Sequence, residues 1–435
     1  MYIRFPAVML SLAGVFVALA ASSTLALVIF EGTLVALCLL DAILAPSPGK
    51  LDISREAPES ARATETAKFE ITVRNNGRRL MSGAIRDAWP PSAGVAPNRH
   101  AFTLAPGKNT LLSGTITPTR RGTRKSEHAT VRTIGPLRLA GRQNSRATEW
   151  ELRVLPAFNS RKHLPSRVMR LRELEGRALL MVRGQGTEFD SLREYVAGDD
   201  VRAIDWRSTA RLGNTVVRTW RPERDRRVVI IADAGRGGSL RIGDAPAFDA
   251  YIETSLLMTA LASKAGDRVH VVSLDSAVRM QVADAKGMPI INRLGEEFAD
   301  VEPTLAATDW PLAASIINEL SHQPALVIVL TTLGLSAISD GLLDMLSQLS
   351  RRHTVLVGSV QRERGLGEAS TTPAAQHSAV ATAYPKAAAA RAALEIAGVK
   401  RTIAGLGATV VATSAENLPP AIADAYIELK AAGKL

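Results

Sequence analysis

The sequence is poor in cysteine and in aromatic side chains. Cys38 is the only cysteine among 435 residues, which excludes a disulfide framework and any zinc site that needs several thiolates. Aromatic residues make up 4% of the chain, whereas hydrophobic residues at 46% and charged residues at 22% are typical of a globular protein. This composition excludes a disordered or collagen-like chain, and the length predicts about three folding units.

The beginning of the chain also lacks charge. No charged side chain occurs between Phe5 and Phe30, and the apolar pattern continues with interruptions to residue 45. Because an apolar helix of about 20 residues spans a bilayer, this length predicts a hairpin of two membrane helices at 6–20 and 25–45, with a turn at 21–23. A cleavable signal peptide is the alternative for the first segment, and the second apolar stretch disfavours it.

Charged residues around this segment predict its orientation. Arg4 precedes it, and Lys50 and Arg55 follow it, which places both ends on the cytoplasmic side by the positive-inside rule. We therefore expect the soluble domains in the cytoplasm. Asp41 is expected at the exit interface, and Glu31 either faces the partner helix or another subunit, or lies near the turn.

Two periodicities follow the membrane segment. Residues 49–156 alternate polar and apolar positions between turn residues, which predicts a small β-sandwich. Residues 228–435 alternate apolar strands with amphipathic helices, which predicts a doubly wound α/β domain whose antiparallel edge is at 278–282. The expected fold class is therefore multi-domain, with the transmembrane helical hairpin at 1–48 and a basic connector at 157–227.

The first strand of the α/β domain leads into a candidate ligand site. Ligands of doubly wound sheets bind beyond the carboxyl ends of the strands, where this sequence has Asp233-Ala234-Gly235-Arg236-Gly237. The run resembles the start of a von Willebrand factor A-type domain, whose metal site uses an aspartate and two serines at alternate positions. Glycines stand where those hydroxyls are required, so we predict a degenerate remnant of Asp233 and Thr332, with Thr304 as a candidate for the remaining hydroxyl.

A cation is not favoured at this remnant. Mg²⁺ prefers hard oxygen ligands in a near-octahedral arrangement, and one carboxylate with two threonine hydroxyls supplies few of them. The sequence therefore predicts no cofactor and no catalytic residue, with Mg²⁺ binding as the less favoured alternative.

The most specific pattern lies between the two predicted domains, from residue 184 to residue 211. It resembles the signature of the domain of unknown function 58 family, bacterial proteins that carry such a segment before a von Willebrand factor A-like domain. The matching positions are Gly184, Gly186, Glu188, Phe189, Arg193, Tyr195, Gly198, Asp199, Asp200, Arg202, Asp205, Trp206 and Arg211.

The resemblance covers nearly the whole chain. It includes the amino-terminal hairpin, the sandwich with its Gly135-Pro136-Leu137 element, and the carboxyl-terminal domain. Members of the family are often encoded beside MoxR-type AAA+ ATPases, so the resemblance implies a partner of that kind in the assembly or maturation of other proteins. It also implies a multi-pass protein of the bacterial inner membrane.

The charges of the signature permit two interpretations. Carboxylates alternate with arginines, which predicts pairs that fix geometry, with Trp206 and Tyr195 as packing anchors against the α/β domain. The alternative is a metal-assisted hydrolase whose site uses Asp199, Asp200 and Asp205, or Asp233, and such a site would need unpaired carboxylates. We expect a non-enzymatic scaffold that binds protein partners, with the hydrolase as the alternative.

The surplus of positive charge belongs to the middle of the chain. The net charge is +11, and residues 120–227 carry 25 basic and 13 acidic side chains. A polybasic surface beside a membrane attracts anionic lipid. Membrane lipid or acidic protein is favoured over nucleic acid, because no recognition helix or aromatic stacking motif accompanies the charge.

Overall fold

The structure is a computed structural model that describes residues 1–20, 22–56, 58–181, 188–221, 226–285, 288–334, 340–361 and 379–435. The chain divides into two compact units, Met1–Ala157 and Phe158–Leu435. Each unit has its own hydrophobic core.

Two apolar helices begin the first unit. Helix α1 spans Phe5–Ala20 and helix α2 spans Thr24–Leu44. Among the described residues, one helical segment, Thr24–Lys50, is long and apolar enough to cross a membrane, which confirms an apolar amino-terminal helix. The Ser11 hydroxyl donates a hydrogen bond to Glu31 Oε1 at 3.0 Å, so Glu31 of α2 faces α1.

The rest of the first unit consists of two β-sheets, which confirms a β-sandwich-like arrangement. One sheet has the strand order β1-β10-β9-β5-β7, with β3 beside β10, and the other has the order β2-β4-β8-β6. Phe69, Ile71 and Val73 share the buried face of β4, as the period of two predicts, and pack with Ile85 and Val131 of the other sheet. The strands are β1 (Tyr2–Ile3), β2 (Leu51–Glu56), β3 (Ser60–Arg62), β4 (Ala67–Asn75), β5 (Met81–Asp87), β6 (Val95–Ala96), β7 (Arg99–Leu104), β8 (Asn109–Ile116), β9 (Gly122–Ile134) and β10 (Ala140–Leu155).

The turn between β9 and β10 binds the end of helix α2. Asp41 is fully buried, and its Oδ1 accepts a hydrogen bond from the backbone N–H of Leu137 at 2.7 Å. Its Oδ2 accepts from the N–H groups of Leu139 and Ala140 at 2.9 and 2.8 Å. A Cβ at Gly135 would lie 2.3 Å from Asp41 Oδ1, so only glycine allows this close approach. Asp41 is thus a buried anchor of the turn.

The second unit contains a six-stranded sheet with helices on both faces. Its order is β17-β16-β13-β18-β19-β20, and all its pairs are parallel except β16 with β17, which confirms the predicted α/β architecture and its antiparallel edge. The strands of this unit are β11 (Glu188–Glu194), β12 (Val216–Arg221), β13 (Arg227–Asp233), β14 (Arg241–Ile242), β15 (Ala245–Pro246), β16 (Arg268–Leu274), β17 (Val278–Ala285), β18 (Leu326–Leu330), β19 (Thr354–Val360) and β20 (Thr409–Thr413).

Alternate residues of β13 point to opposite faces of this sheet. Val228 and Ile230 lie in one apolar core, and Val229 and Ile231 lie in the other. Both faces are therefore covered, as the continuous apolar strands predict. The helices of this unit are α3 (Leu164–Met181), α4 (Trp206–Leu212), α5 (Arg236–Ser239), α6 (Ala247–Lys264), α7 (Met288–Ala299), α8 (Trp310–Leu320), α9 (Leu342–Leu349), α10 (Ala379–Gly405) and α11 (Leu418–Ala431).

Candidate functional site

The carboxyl edge of the central sheet holds a buried aspartate bound by hydroxyl groups. Asp233 ends β13 and is 1% exposed. Its Oδ1 accepts hydrogen bonds from the backbone N–H of Gly235 at 2.8 Å and from the Thr308 hydroxyl at 2.6 Å. Its Oδ2 accepts from the Thr331 hydroxyl at 2.5 Å. Three donors from the protein itself therefore hold both carboxylate oxygens.

The two glycines after Asp233 lie too close to it to be replaced by serine in the present geometry. A Cβ at Gly237 would lie 2.3 Å from Asp233 Oδ2 and 2.8 Å from Thr331 Oγ1. A Cβ at Gly235 would lie 2.4 Å from Thr308 Oγ1. The aspartate and the two threonines thus fill the volume that serine side chains at these positions would need.

These residues do not fit a magnesium ion. Magnesium needs several oxygen ligands around an octahedral position, and here both threonine hydroxyls donate their protons to the single carboxylate. Among the described residues, no group of three or more His, Cys, Asp or Glu side chains could hold a metal ion.

Two residues predicted for this site make other contacts. The Thr332 hydroxyl donates to the carbonyl of Gly237 at 2.8 Å and lies 2.8 Å from the Tyr251 hydroxyl, not against Asp233. The Thr304 hydroxyl donates to Asp275 Oδ2 at 2.8 Å. Thr331 and Thr308 occupy the hydroxyl positions beside Asp233 that were predicted for Thr332 and Thr304. Thr308 lies in a loop, where no sequence periodicity could have identified it.

A second buried carboxylate, which the sequence reading missed, lies at the same edge. Asp275 directly follows β16, the parallel neighbour of β13, and this position was the available signal. The Arg279 guanidinium donates to its Oδ2 from Nε at 2.8 Å and from a terminal nitrogen at 2.6 Å. Burial opposes ionisation of Asp275, but hydrogen bonds from Arg279, Thr304 and the Ala277 N–H outweigh it and lower its pKa.

The environments of the two aspartates have opposite effects on their protonation. Burial raises the pKa of Asp233, against the lowering effect of its three hydrogen bonds, and the charge of Asp275 adds to the increase. Asp275 is therefore the carboxylate held ionised by an arginine, whereas Asp233 binds a proton more readily than an exposed aspartate does.

The signature folds as a β-hairpin with a helical insertion. Strands β11 and β12 pair antiparallel, and a 3₁₀ turn (Val201–Ala203) and helix α4 lie between them. Gly198 has a φ of 112°, a conformation that favours glycine. Gly184 and Gly186 lie outside the described residues, and Glu188 and Phe189 contribute their backbone to β11.

Two aspartates of the signature, Asp199 and Asp205, pair with arginines, as the alternation of charges predicts. Arg193 donates to both oxygens of Asp199 at 2.7 and 2.5 Å, and its side-chain hydrogen bonds lower the pKa of Asp199. Asp205 caps α4 by accepting from the Ser208 N–H at 2.9 Å, and this bond together with Arg218 lowers its pKa.

A third aspartate of the signature binds the backbone. Asp200 accepts a hydrogen bond from the Arg202 N–H at 2.9 Å. Asp199, Asp200 and Asp205 therefore serve as local structural acceptors. The arginine that pairs with Asp205 is Arg218, which lies outside the predicted set.

Several apolar side chains of the described part of the hairpin lie at the surface. The expectation that Trp206 is a packing anchor within this chain is wrong, because Trp206 is 69% exposed. Arg207 and Arg211, spaced four residues apart on α4, lie exposed beside it. The exposed apolar residues, here called the hairpin patch, are Leu192, Tyr195, Val196, Val201, Trp206 and Leu212.

Part of the predicted basic surface is neutralised within the second unit. Arg167 and Arg170 of α3 donate to the two carboxylate oxygens of Asp424 at 2.6 and 3.0 Å. These arginines attach α3 to α11 and so have a structural use.

Comparison with known proteins identifies a family region. Residues 191–398 match the family described as protein of unknown function DUF58, which confirms the predicted resemblance. No curated protein matches this sequence.

Solved structures resemble parts of the chain at low overall scores. The CARDB domain of the PF1109 protein from Pyrococcus furiosus is 18% identical, covers 24% of this chain and 91% of its own, and has a TM-score of 0.19. A FixG-related protein from Vibrio parahaemolyticus is 7% identical, covers 24% and 96%, and has a TM-score of 0.18.

Proposed function

We propose that this chain, whose residues 191–398 match the DUF58 family, is a non-enzymatic scaffold anchored in the bacterial inner membrane. It binds protein partners through a von Willebrand factor A-like domain, and it works with a MoxR-type AAA+ ATPase in the assembly or maturation of other proteins. The soluble units lie in the cytoplasm.

The geometry of the amino-terminal helices supports the anchor. Many of their large apolar side chains are exposed, which suits contact with lipid. The start of α1 and the end of α2 reach the same turn, since the Arg4 N–H donates to the Leu139 carbonyl at 2.9 Å and Asp41 binds the same turn. A multi-pass hairpin with both ends on one side of the membrane accounts for this arrangement.

The strand order and Asp233 support the von Willebrand factor A-like assignment. The carboxyl edge, where such folds bind ligands, is closed by Thr308 and Thr331, so we propose contact with partners that does not depend on a cation.

The observation that carries the proposal is the exposed hairpin patch. A free aromatic and aliphatic surface beside arginines has the composition of protein interfaces, in which Trp, Tyr and Arg contribute most of the binding energy. Asp199, Asp200 and Asp205 of the same hairpin are occupied by hydrogen bonds, which favours a role in contact over a role in chemistry.

A binding experiment tests this. The full chain in detergent is immobilised, and binding of the MoxR-type ATPase from the same genome is measured with and without ATP. Trp206→Ala should weaken binding at least tenfold, because truncation of a central interface tryptophan costs about 2 kcal/mol or more. Leu305→Ala, which truncates another exposed side chain of the same unit, should leave binding unchanged. Absence of binding by the unaltered chain would refute the ATPase partnership, and equal binding by both variants would remove the patch from the interface.

A further inference from the structure

A cleft lies where the end of α2 meets the β9–β10 hairpin of the first unit. Its volume is about 420 Å³. Leu39 and Ile43 of α2 contribute apolar surface to it, and Arg142 and Gln143 of β10 contribute polar groups. The lining thus combines aliphatic side chains with a guanidinium.

Arg142 is held in place at the end of the helix. Its Nε donates to the Ala42 carbonyl at 3.0 Å, which fixes the plane of the guanidinium. The neighbouring Asp41 carboxylate accepts three backbone N–H groups, so both of its oxygens are occupied by the turn and not by Arg142. Among the described residues, no carboxylate forms an ion pair with Arg142, and its terminal nitrogens remain available for an anion.

The surroundings of the cleft are positively charged. Residues 128–148 include four arginines and no aspartate or glutamate. The first carboxylate beyond Arg142 along β10 is Glu149, which is about 23 Å away at the rise of an extended strand. An anion that approaches this end of the hairpin therefore meets an attractive field. The arginines are Arg132, Arg138, Arg142 and Arg146.

The length of α2 determines where the cleft lies relative to the bilayer. Its 21 residues span about 32 Å at 1.5 Å per residue, close to the roughly 30 Å of a bilayer hydrocarbon core. If α2 crosses the membrane as proposed above, its last turn lies at the level of the lipid phosphates. Leu39 and Ile43, both exposed, would then face acyl chains while Arg142 lies among headgroups.

We infer that this cleft binds an anionic phospholipid, with the phosphodiester at Arg142 and an acyl chain along Leu39 and Ile43. Guanidinium groups bind phosphate through two parallel hydrogen bonds, and the aliphatic wall accounts for the lipid tail. The inference rests on the proposed membrane anchoring and adds a lipid class and a residue to it.

Retention of defined lipids tests the inference. The full chain is delipidated in mild detergent, incubated with phosphatidylglycerol or with phosphatidylcholine of the same acyl chains, and analysed for bound lipid by native mass spectrometry. The unaltered chain should retain phosphatidylglycerol roughly fivefold more than phosphatidylcholine, which is the effect expected of one basic residue at an anionic surface. Arg142→Gln should remove this preference, and Arg86→Gln, which changes an exposed arginine on β5, should keep it.

Three further measurements separate the explanations. Arg142→Lys should retain part of the preference, and equal losses in the Gln and Lys variants would overturn the role of charge. Inorganic phosphate, titrated calorimetrically without lipid, should bind far more weakly than the lipid, and comparable binding would assign the cleft to free phosphate. Alkaline extraction of native membranes tests the anchor separately: a chain that stays in the membrane but shows no lipid preference refutes this inference alone.

Discussion

Replacement of Asp41 by alanine tests how strongly helix α2 is attached to the β-sandwich. The buried carboxylate accepts hydrogen bonds from the N–H groups of Leu137, Leu139 and Ala140 at 2.7 to 2.9 Å. Alanine removes the acceptor and leaves these three donors without it. Because the turn is closed around the carboxylate, the donors can regain partners only if water enters or the turn opens.

The expected loss is large for one side chain. A buried donor left unsatisfied costs about 1–3 kcal/mol, so three donors that relax partly should cost about 3–6 kcal/mol in the free energy of unfolding of the first unit. For a unit of this size each kcal/mol lowers Tm by about 2–4 °C, which gives a decrease on the order of 10 °C.

Thermal unfolding in detergent, followed by tryptophan fluorescence, measures this change. Trp89 and Trp150 pack edge to face with ring centroids 4.8 Å apart in the sandwich and report on its unfolding. Asp52→Ala, which removes an exposed carboxylate from β2 of the same unit, is the matched control. A decrease for Asp41→Ala no larger than that for Asp52→Ala would show that the turn does not depend on the carboxylate.

Two further predictions concern the closed edge of the α/β unit. Gly237→Ser should destabilise the second unit by about 1–3 kcal/mol, because its Cβ would meet Asp233 Oδ2 at 2.3 Å, and it should gain no magnesium binding in calorimetry. Gly398→Ser is the control, because Gly398 lies on α10 with open space around it. A heat of magnesium binding measured with the unaltered chain would instead support the hydrolase alternative. Asp233→Asn tests the raised pKa of Asp233. In the unaltered protein, the stabilisation that comes from protonated Asp233 is fully present below the unfolded pKa near 3.8 and is lost as pH rises through the folded pKa. Denaturant titrations should therefore show that the free energy of unfolding of the variant, relative to that of the unaltered protein, increases with rising pH. A stability difference that is constant with pH would contradict this.

The sequence was sufficient for architecture where periodicity was strong. The continuous apolar strands predicted the parallel sheet, and its strand β13 occupies Arg227–Asp233, at the start of the domain predicted at 228–435. A residue that directly follows a parallel strand lies at the carboxyl edge of the sheet, so the position of Asp233 was correctly predicted. Burial on both faces leaves few alternative structures for such runs.

Contacts between distant loops could not be predicted in this way. Thr308 reaches Asp233 across 75 positions, and no local pattern links them. Thr331 and Thr332 are adjacent, and the choice between them depends on which side chain of the strand end points inward. The prediction for Trp206 was wrong for a different reason. An aromatic residue in a charged signature is equally compatible with a buried anchor and with an exposed contact residue.

The glycines at 235 and 237 and the threonines at 308 and 331 are two parts of one arrangement. Read alone, the glycines indicate lost metal ligands. In the structure their missing side chains provide the space in which two hydroxyls approach Asp233, and a Cβ at either position would lie within 2.4 Å of an atom of this cluster. Burial of a carboxylate costs free energy unless the group is hydrogen-bonded, and here the two threonine hydroxyls supply hydrogen bonds to Asp233. The edge is therefore closed by a consistent set of residues, and a single serine cannot restore a cation site there without displacing a threonine.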